Sequence, residues 1–143
     1  PREALVIRAS NHPTIMDVQP VSWNYYPESQ TGKVMEQSKD AIPFQEFMKY
    51  RAIIDIEGSG STRFGPALCT NSVVIKIEPK INSYWSHELE PWTHYIPVKA
   101  DLSDLKDNVE FAVQQRNAAK VQGIIKNANA WCRRKRAPRP RVR

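Results

Sequence analysis

The 143-residue sequence has no apolar run near the roughly 20 residues that a membrane-spanning helix needs, so we expect no membrane span. The apolar stretch at its start is shorter than the ~7–15 residues of a secretory signal core, and because the first residue is Pro1 rather than Met, we expect the N-terminus to lie upstream. Two cysteines are too few for a disulfide scaffold or, by themselves, for a zinc site, and their number does not fix the redox compartment. The remaining composition, 41% hydrophobic and 25% charged, is typical of a water-soluble globular protein.

Acidic side chains are absent from residues 133–143, which hold seven of the 21 basic ones. Residues 1–132 contain the other 14 basic side chains and all 15 acidic ones, so the net charge of +6 belongs to the C-terminal end. We therefore expect one domain over residues 1–132 and a basic, disordered, proline-interrupted tail over residues 133–143. Because the basicity is confined to this tail, nucleic-acid binding is the weakest of the functional alternatives.

Short apolar segments alternate with helical ones in the middle of the chain. Isoleucine-rich residues 50–56 and residues 72–77 are predicted strands, separated by a loop of small residues and a short helix that begins at residue 63. Strand, loop, helix and strand in this order are typical of a parallel α/β sheet. Asp101 and Asp104 are expected to cap the next helix. The other predicted elements are strands at 4–9 and 94–98, one or two helical turns within 43–50, and helices at about 105–116 and 117–132.

The loop after the isoleucine-rich strand is the best candidate site on physical grounds. In parallel α/β sheets, ligands bind beyond the carboxyl ends of the strands, where glycines allow close backbone approach and a following helix offers free N–H groups. Arg63 adds a planar charge that can bond two phosphate oxygens, although it occupies the place of the third glycine in a Gly-x-Gly-x-x-Gly fingerprint. A plain strand-to-helix turn is the alternative. The candidate phosphate-binding residues are Gly58, Ser59, Gly60, Ser61, Thr62 and Arg63.

Other polar residues give weaker signals. His87 lacks the second histidine of a zinc protease motif, so no metal site is expected. Asp55 and Glu57 share a strand face, which leaves a paired-carboxylate glycosidase formally open. Cys69 is interpreted as a small buried hydrophobe, and His94 as a packed, hydrogen-bonded histidine. Three aromatic side chains are expected to fill the core rather than to stack on a sugar or a base: Trp85, Trp92 and Tyr95.

Three segments of the sequence carry a family resemblance: residues 49–64, 71–76 and 90–105. The last contains a Pro-Trp-x-His-Tyr-x-Pro-Val-Lys-x-Asp-Leu-Ser run after the Gly/Ser/Arg loop. Together they resemble the capsule-associated-protein family of glycosyltransferases, a lipopolysaccharide-modifying group. This group includes protein O-glucosyltransferases and O-xylosyltransferases of the endoplasmic reticulum, some with a KDEL motif. The resemblance covers roughly residues 45–130, and a weaker resemblance extends over residues 1–17.

The resemblance implies a fold and an activity. Members have two Rossmann-like domains in the GT-B arrangement and transfer glucose or xylose from a UDP-sugar to a protein or glycan hydroxyl with inversion and without a metal. This chain is similar to the C-terminal, donor-binding half, in which residues 58–62 would wrap the diphosphate and Arg63 would neutralise charge on the departing UDP. The general base would precede Pro1, so no residue here is assigned that role. We expect a fragment of an enzyme of the endoplasmic reticulum or Golgi; the alternative is a non-catalytic UDP-sugar-binding remnant.

Overall fold

The structure, a computed structural model, describes residues 2–18, 43–56 and 63–136. It contains a sheet of three parallel strands, β1 (Ala52–Asp55), β2 (Val73–Ile77) and β3 (Ile96–Val98), with β2 in the middle. All five residues of β2 are buried, as expected for a central strand that is covered on both faces. The predicted parallel α/β arrangement is confirmed, because all three strands lie within segments where the sequence predicts them.

Five α-helices accompany the sheet in the described part of the chain: α1 (Arg2–Ser10), α2 (Phe44–Phe47), α3 (Phe64–Ala67), α4 (Leu105–Val113) and α5 (Ala118–Arg136). Single 3-10 turns precede β3 and α5 at Ser86–Glu88 and Gln115–Asn117. Helix α3 lies in the connection between β1 and β2 and is one turn long. Pro66 is the third residue of α3, where its missing N–H costs no intrahelical hydrogen bond.

The N-terminal segment is a helix, so the predicted strand at residues 4–9 is wrong. A strand would place Leu5, Ile7 and Ala9 on one face, whereas a helix groups residues four apart. Leu5 and Ala9 are buried in the core together with Met16, while Ile7 is 39% exposed. The helical spacing therefore buries the two side chains that contact the core. The apolar run was too short to distinguish the two periods.

The sheet packs a hydrophobic cluster on each face. Val73, Ile75 and Ile77 of β2 contact the cluster that also includes α1 and α4 side chains, while Val74 contacts the other cluster with Phe64 of α3. Helix α5 contributes to both clusters, because side chains of its first half pack in the first cluster and side chains of its last turns pack in the second. Full burial of each large aliphatic side chain contributes roughly 1.5–3 kcal/mol, so these two layers hold the strands and helices together.

A disulfide bond connects Cys69, just after α3, with Cys132 near the end of α5. The expectation that Cys69 is merely a small buried hydrophobe is therefore wrong. The two residues are 63 positions apart in the chain, and their Cα atoms are 5.5 Å apart in the fold. The two cysteines meet because the last turns of α5 pack in the same hydrophobic cluster as α3.

Helix α5 extends four residues beyond the predicted end at residue 132. Residues 133–136, expected to begin the disordered tail, are helical, and Lys135 forms an ion pair with Glu88 that ties the last turn to the 3-10 segment before β3. Residues 137–143 lie outside the described residues. No helix in the described part of the chain combines the length and the apolar character needed to cross a membrane.

The aspartates before α4 organise the approach to the helix rather than capping it with a side chain. Asp104 is the N-cap residue, but its carboxylate accepts hydrogen bonds from the Lys99 backbone N–H (2.9 Å) and from Asn108 Nδ2 (3.2 Å). Asp101 accepts the Ser103 N–H at 2.9 Å. The predicted capping role is therefore wrong in detail, because Lys99 and Ser103, rather than the first helical N–H groups, donate to the two carboxylates.

Candidate functional site

The carboxyl ends of the three strands meet at one edge of the sheet, where parallel α/β proteins bind ligands. Strand β1 ends at Asp55 and leads directly into the predicted phosphate loop. Five of the candidate residues lie outside the described residues: Gly58, Ser59, Gly60, Ser61 and Thr62. Their role in binding phosphate stays a prediction.

Arg63 follows the loop and immediately precedes α3. Its side chain is exposed, and the guanidinium carbon lies 5.9 Å from the centroid of the Phe47 ring. An exposed guanidinium can bond two oxygens of an anion at once. Because α3 has only four residues, its dipole is small, so Arg63 rather than the helix would supply most of the positive potential.

A buried ion pair that the sequence did not reveal lies at the same edge. Asp55 and Lys76 are register partners on β1 and β2, and Lys76 Nζ is 3.3 Å from Asp55 Oδ2. Only 7% of Asp55 and 8% of Lys76 is exposed. Lys76 Nζ also lies 3.7 Å from the centroid of the Phe64 ring. The suggested Asp55–Glu57 carboxylate pair has no support here, because Asp55 pairs with a lysine and Glu57 lies outside the described residues.

One charged residue in each of two otherwise apolar strands, Asp55 and Lys76, was the signal of this pair in the sequence. Residues 73–77 are Val-Val-Ile-Lys-Ile, and a charge at the fourth position of a fully buried strand requires a partner. The partner is identified only when the register of β1 against β2 is known.

Aromatic rings surround Phe64 on the second face of the sheet. Phe64 stacks on Trp85 with a centroid distance of 5.5 Å and meets Tyr95 edge-on at 5.6 Å. Trp85 in turn contacts Trp131 at 5.3 Å. Trp85 and Tyr95 are half-buried and pack against the second hydrophobic cluster, so the core prediction is confirmed in part, and burial raises the pKa of the Tyr95 hydroxyl.

Trp92 departs from the core prediction. It is 48% exposed and has a φ of 64°, a left-handed backbone conformation that is uncommon for a bulky residue. Its ring meets Phe111 edge-on at 5.4 Å. The two rings line a cavity of about 440 Å³ together with Lys120, Gly123, Ile124 and Asn127. None of these lining residues belongs to the predicted phosphate site.

The two remaining candidate residues have local hydrogen-bonding roles. His94 Nδ1 accepts the Glu90 backbone N–H at 3.0 Å, which confirms a hydrogen-bonded histidine. His87 Nδ1 lies 2.7 Å from the Tyr84 carbonyl oxygen, which can only accept, so this nitrogen donates. Within the described ranges, no group of three His, Cys, Asp or Glu side chains is placed to hold a metal ion.

Glu88 links the 3-10 turn to the end of α5. Its carboxylate accepts hydrogen bonds from Lys135 Nζ and, at 3.0 Å, from Trp131 Nε1. These two donors, with Lys135 the stronger, lower the pKa of Glu88. Trp131 also contacts Trp85, and Trp85 contacts Phe64, so Glu88 supports the aromatic cluster on which the start of α3 rests.

Comparison with known proteins gives one consistent assignment. The model of glycosyl transferase family 90 matches residues 1–137. The chain is 28% identical over 120 residues to protein O-glucosyltransferase 3 of Rattus norvegicus, covering 83% of this chain and 23% of that protein. It is 35% identical over 80 residues to protein O-glucosyltransferase 2 of Danio rerio, covering 55% and 16%. It is 27% identical over 137 residues to protein O-glucosyltransferase 1 of Rattus norvegicus, covering 91% and 33%. The chain therefore spans a third or less of the length of these relatives.

Proposed function

We propose, from the premise that this chain belongs to glycosyl transferase family 90, that it is the donor-binding half of an inverting glycosyltransferase that uses a UDP-sugar. The sugar would be of the glucose or xylose class, and the acceptor a hydroxyl of a protein or glycan. The parallel βαβ unit fits one Rossmann-like half of a GT-B enzyme. The observation that carries the proposal is the exposed guanidinium of Arg63, which follows the predicted loop at the carboxyl edge of the sheet.

The chemistry explains why a cation is needed at this place. When the acceptor hydroxyl attacks the anomeric carbon, the bond from that carbon to the diphosphate oxygen breaks and negative charge develops on UDP. Without a metal, fixed hydrogen-bond donors and cations must stabilise that charge. Arg63 can bond two phosphate oxygens at once, and the hydroxyls of Ser59, Ser61 and Thr62 would supply further donors. We assign no general base within this chain.

A second candidate is UDP-sugar binding without transfer. The chain spans 23% to 33% of the two relatives that align over most of its length. A donor half can bind UDP without an acceptor half that supplies a base. The two candidates differ in one measurement, because only the transferase releases UDP from a UDP-sugar in the presence of an acceptor.

We propose that the protein acts in the lumen of the endoplasmic reticulum or in the Golgi. The disulfide between Cys69 and Cys132 supports this location, because such bonds persist in the oxidising environment of the secretory pathway.

Titration of the chain with UDP by calorimetry tests the donor site. We expect micromolar affinity, and Arg63→Ala should weaken it by roughly 10- to 100-fold, since a hydrogen bond to a charged group contributes about 1.5–3 kcal/mol. Arg116→Ala is the matched control, because Arg116 is also exposed, lies outside the predicted phosphate site and donates a hydrogen bond to its neighbour Gln114. Equal affinity of the Arg63 variant and the unaltered chain would contradict the proposed site.

A transfer assay separates the two candidates. The chain is incubated with UDP-glucose or UDP-xylose and a serine-containing protein acceptor, and UDP release and acceptor mass are measured. Transfer that persists in EDTA supports a metal-free transferase. UDP binding with no release supports the binding-only alternative.

A further inference from the structure

The ion pair between Asp55 and Lys76 is not explained by stability alone. Both side chains are almost fully buried, and removing two charges from water costs as much as or more than their attraction returns. Well-packed apolar residues of similar volume usually serve a core as well or better. Ile53 and Val74, two residues earlier on the same strands and the same face, show that this face otherwise takes aliphatic side chains. A second role for the pair is therefore expected.

The ammonium group contacts one particular ring. Lys76 Nζ lies 3.7 Å from the centroid of Phe64, within the range of a strong cation–π contact, and Asp55 holds the ammonium from the other strand. Phe64 is also held by Trp85 and Tyr95. The ring thus has two aromatic neighbours and one cationic neighbour, and the cation is the only one of the three that comes from the sheet.

Phe64 is the first residue of α3 and the direct neighbour of Arg63. Fixing the Phe64 ring therefore fixes the backbone from which the Arg63 side chain extends. Arg63 itself is exposed, and its guanidinium carbon lies 5.9 Å from the centroid of the Phe47 ring.

We propose that Lys76, held by Asp55, is a positioning residue of the donor site. Its ammonium anchors Phe64 to the end of the sheet and so sets the start of α3 and the origin of the Arg63 side chain. Lys76 does not contact the donor itself. The inference rests on the proposed function, because it assigns to Lys76 the placement of the group that would bind the diphosphate.

The test separates positioning from folding by replacing both charges together. In the variant Asp55→Leu/Lys76→Met, the buried pair becomes two apolar residues, so no single charge is left unpaired and the urea midpoint of unfolding should stay at or above that of the unaltered chain. UDP affinity, measured by calorimetry, should nevertheless fall about tenfold, the loss expected when one cation–π anchor is removed. Lys76→Arg can keep both contacts, so its UDP affinity should stay within about threefold of that of the unaltered chain.

A matched control removes a charge elsewhere. Lys106 forms an exposed ion pair with Glu110 on α4, so Lys106→Met/Glu110→Leu removes an ion pair without changing the net charge, as the double variant does, but should leave UDP affinity unchanged. Equal UDP affinity of the double variant and the unaltered chain would overturn the positioning role. Absence of UDP binding in the unaltered chain would instead overturn the proposed function, and the positioning role with it.

Phe64→Leu keeps the inference testable if the double variant does not fold, because it leaves both buried charges paired. This change removes the ring and keeps an apolar side chain, and it should lower UDP affinity about as much as Asp55→Leu/Lys76→Met does. When the two changes are combined, the losses should not add, since each breaks the same contact. Additive losses would show that Lys76 acts independently of Phe64 and would overturn the proposal.

Discussion

Reduction of the disulfide between Cys69 and Cys132 should destabilise the protein strongly. The bond closes a loop with a sequence separation of 63 residues, for which the chain-entropy relation gives about 14 cal/mol/K, or about 4 kcal/mol at 25 °C. For a chain of 143 residues, a loss of about 4 kcal/mol lowers the melting temperature by roughly 15 °C. The bond also ties the segment after α3 to the end of α5, and no other covalent bond joins these elements except the chain itself.

Urea unfolding with and without a phosphine reductant measures the effect. The four tryptophans report unfolding by fluorescence, and a loss of about 4 kcal/mol should lower the midpoint by roughly 2 M urea. The variant Cys69→Ala/Cys132→Ala is the control, because its midpoint should not respond to reductant. Alkylation of the denatured chain checks the bond directly, with two labels expected after reduction and none before it.

Two results would refute this reasoning. Two reactive thiols in the unreduced, denatured chain would show that the bond is absent. A midpoint that moves by less than roughly 0.5 M urea on reduction, with the bond verified by mass, would show that the unfolded chain is not constrained by a loop of this length.

Three further changes test contacts away from the proposed site. Lys135 lowers the pKa of Glu88, so the stabilisation from this carboxylate should be present above about pH 4.5 and lost as the pH falls through the lower folded pKa. In Glu88→Gln, the free energy of unfolding, measured by urea titration from pH 6 to 3, should therefore fall less steeply with decreasing pH than in the unaltered chain. The hydrogen bond that Tyr50 donates to Asp17 (2.6 Å) raises the pKa of Tyr50, so its contribution to stability should be present below about pH 10 and lost as the pH rises through the higher folded value. Ultraviolet titration should show late phenolate steps from Tyr50 and Tyr95, and Tyr50→Phe should remove one of them and leave the other. Gly123 is in the interior of α5, and an added methyl group there meets nothing within 4 Å. Gly123→Ala should therefore raise the free energy of unfolding, measured by chemical denaturation, by about 0.5–1 kcal/mol. A loss of stability would contradict the open space at this position.

The sheet could be predicted from local patterns. β-Branched runs, the small-residue loop and the short helix between the first two strands gave the parallel βαβ order, and strands β1 to β3 all lie within the predicted segments. The helix predicted at about 117–132 was also correct, and in the structure it buries Val121, Ile124, Ile125 and Ala128. These features depend on residues close together in the chain, where periodicity is a direct physical signal.

The candidate site was predicted in part. The position of Arg63 before a short helix could be read from the sequence, whereas the Asp55–Lys76 pair depends on the register of two strands 21 residues apart. The half-exposed position of Trp92 depends on a left-handed backbone that no local propensity of tryptophan favours.

The amino-acid sequence by itself determined the order of strands and helices from residue 43 onward, the balanced charge of residues 1–132 and the family, because each is encoded in residue type and spacing along the chain. Tertiary structure decided the helical state of α1, the pairing of Cys69 with Cys132 and the burial of Lys76 against Asp55 and Phe64. Each of these depends on contacts between segments that are distant in the chain. Such contacts form only when packing of the two faces of the sheet fixes the register and the direction of every element.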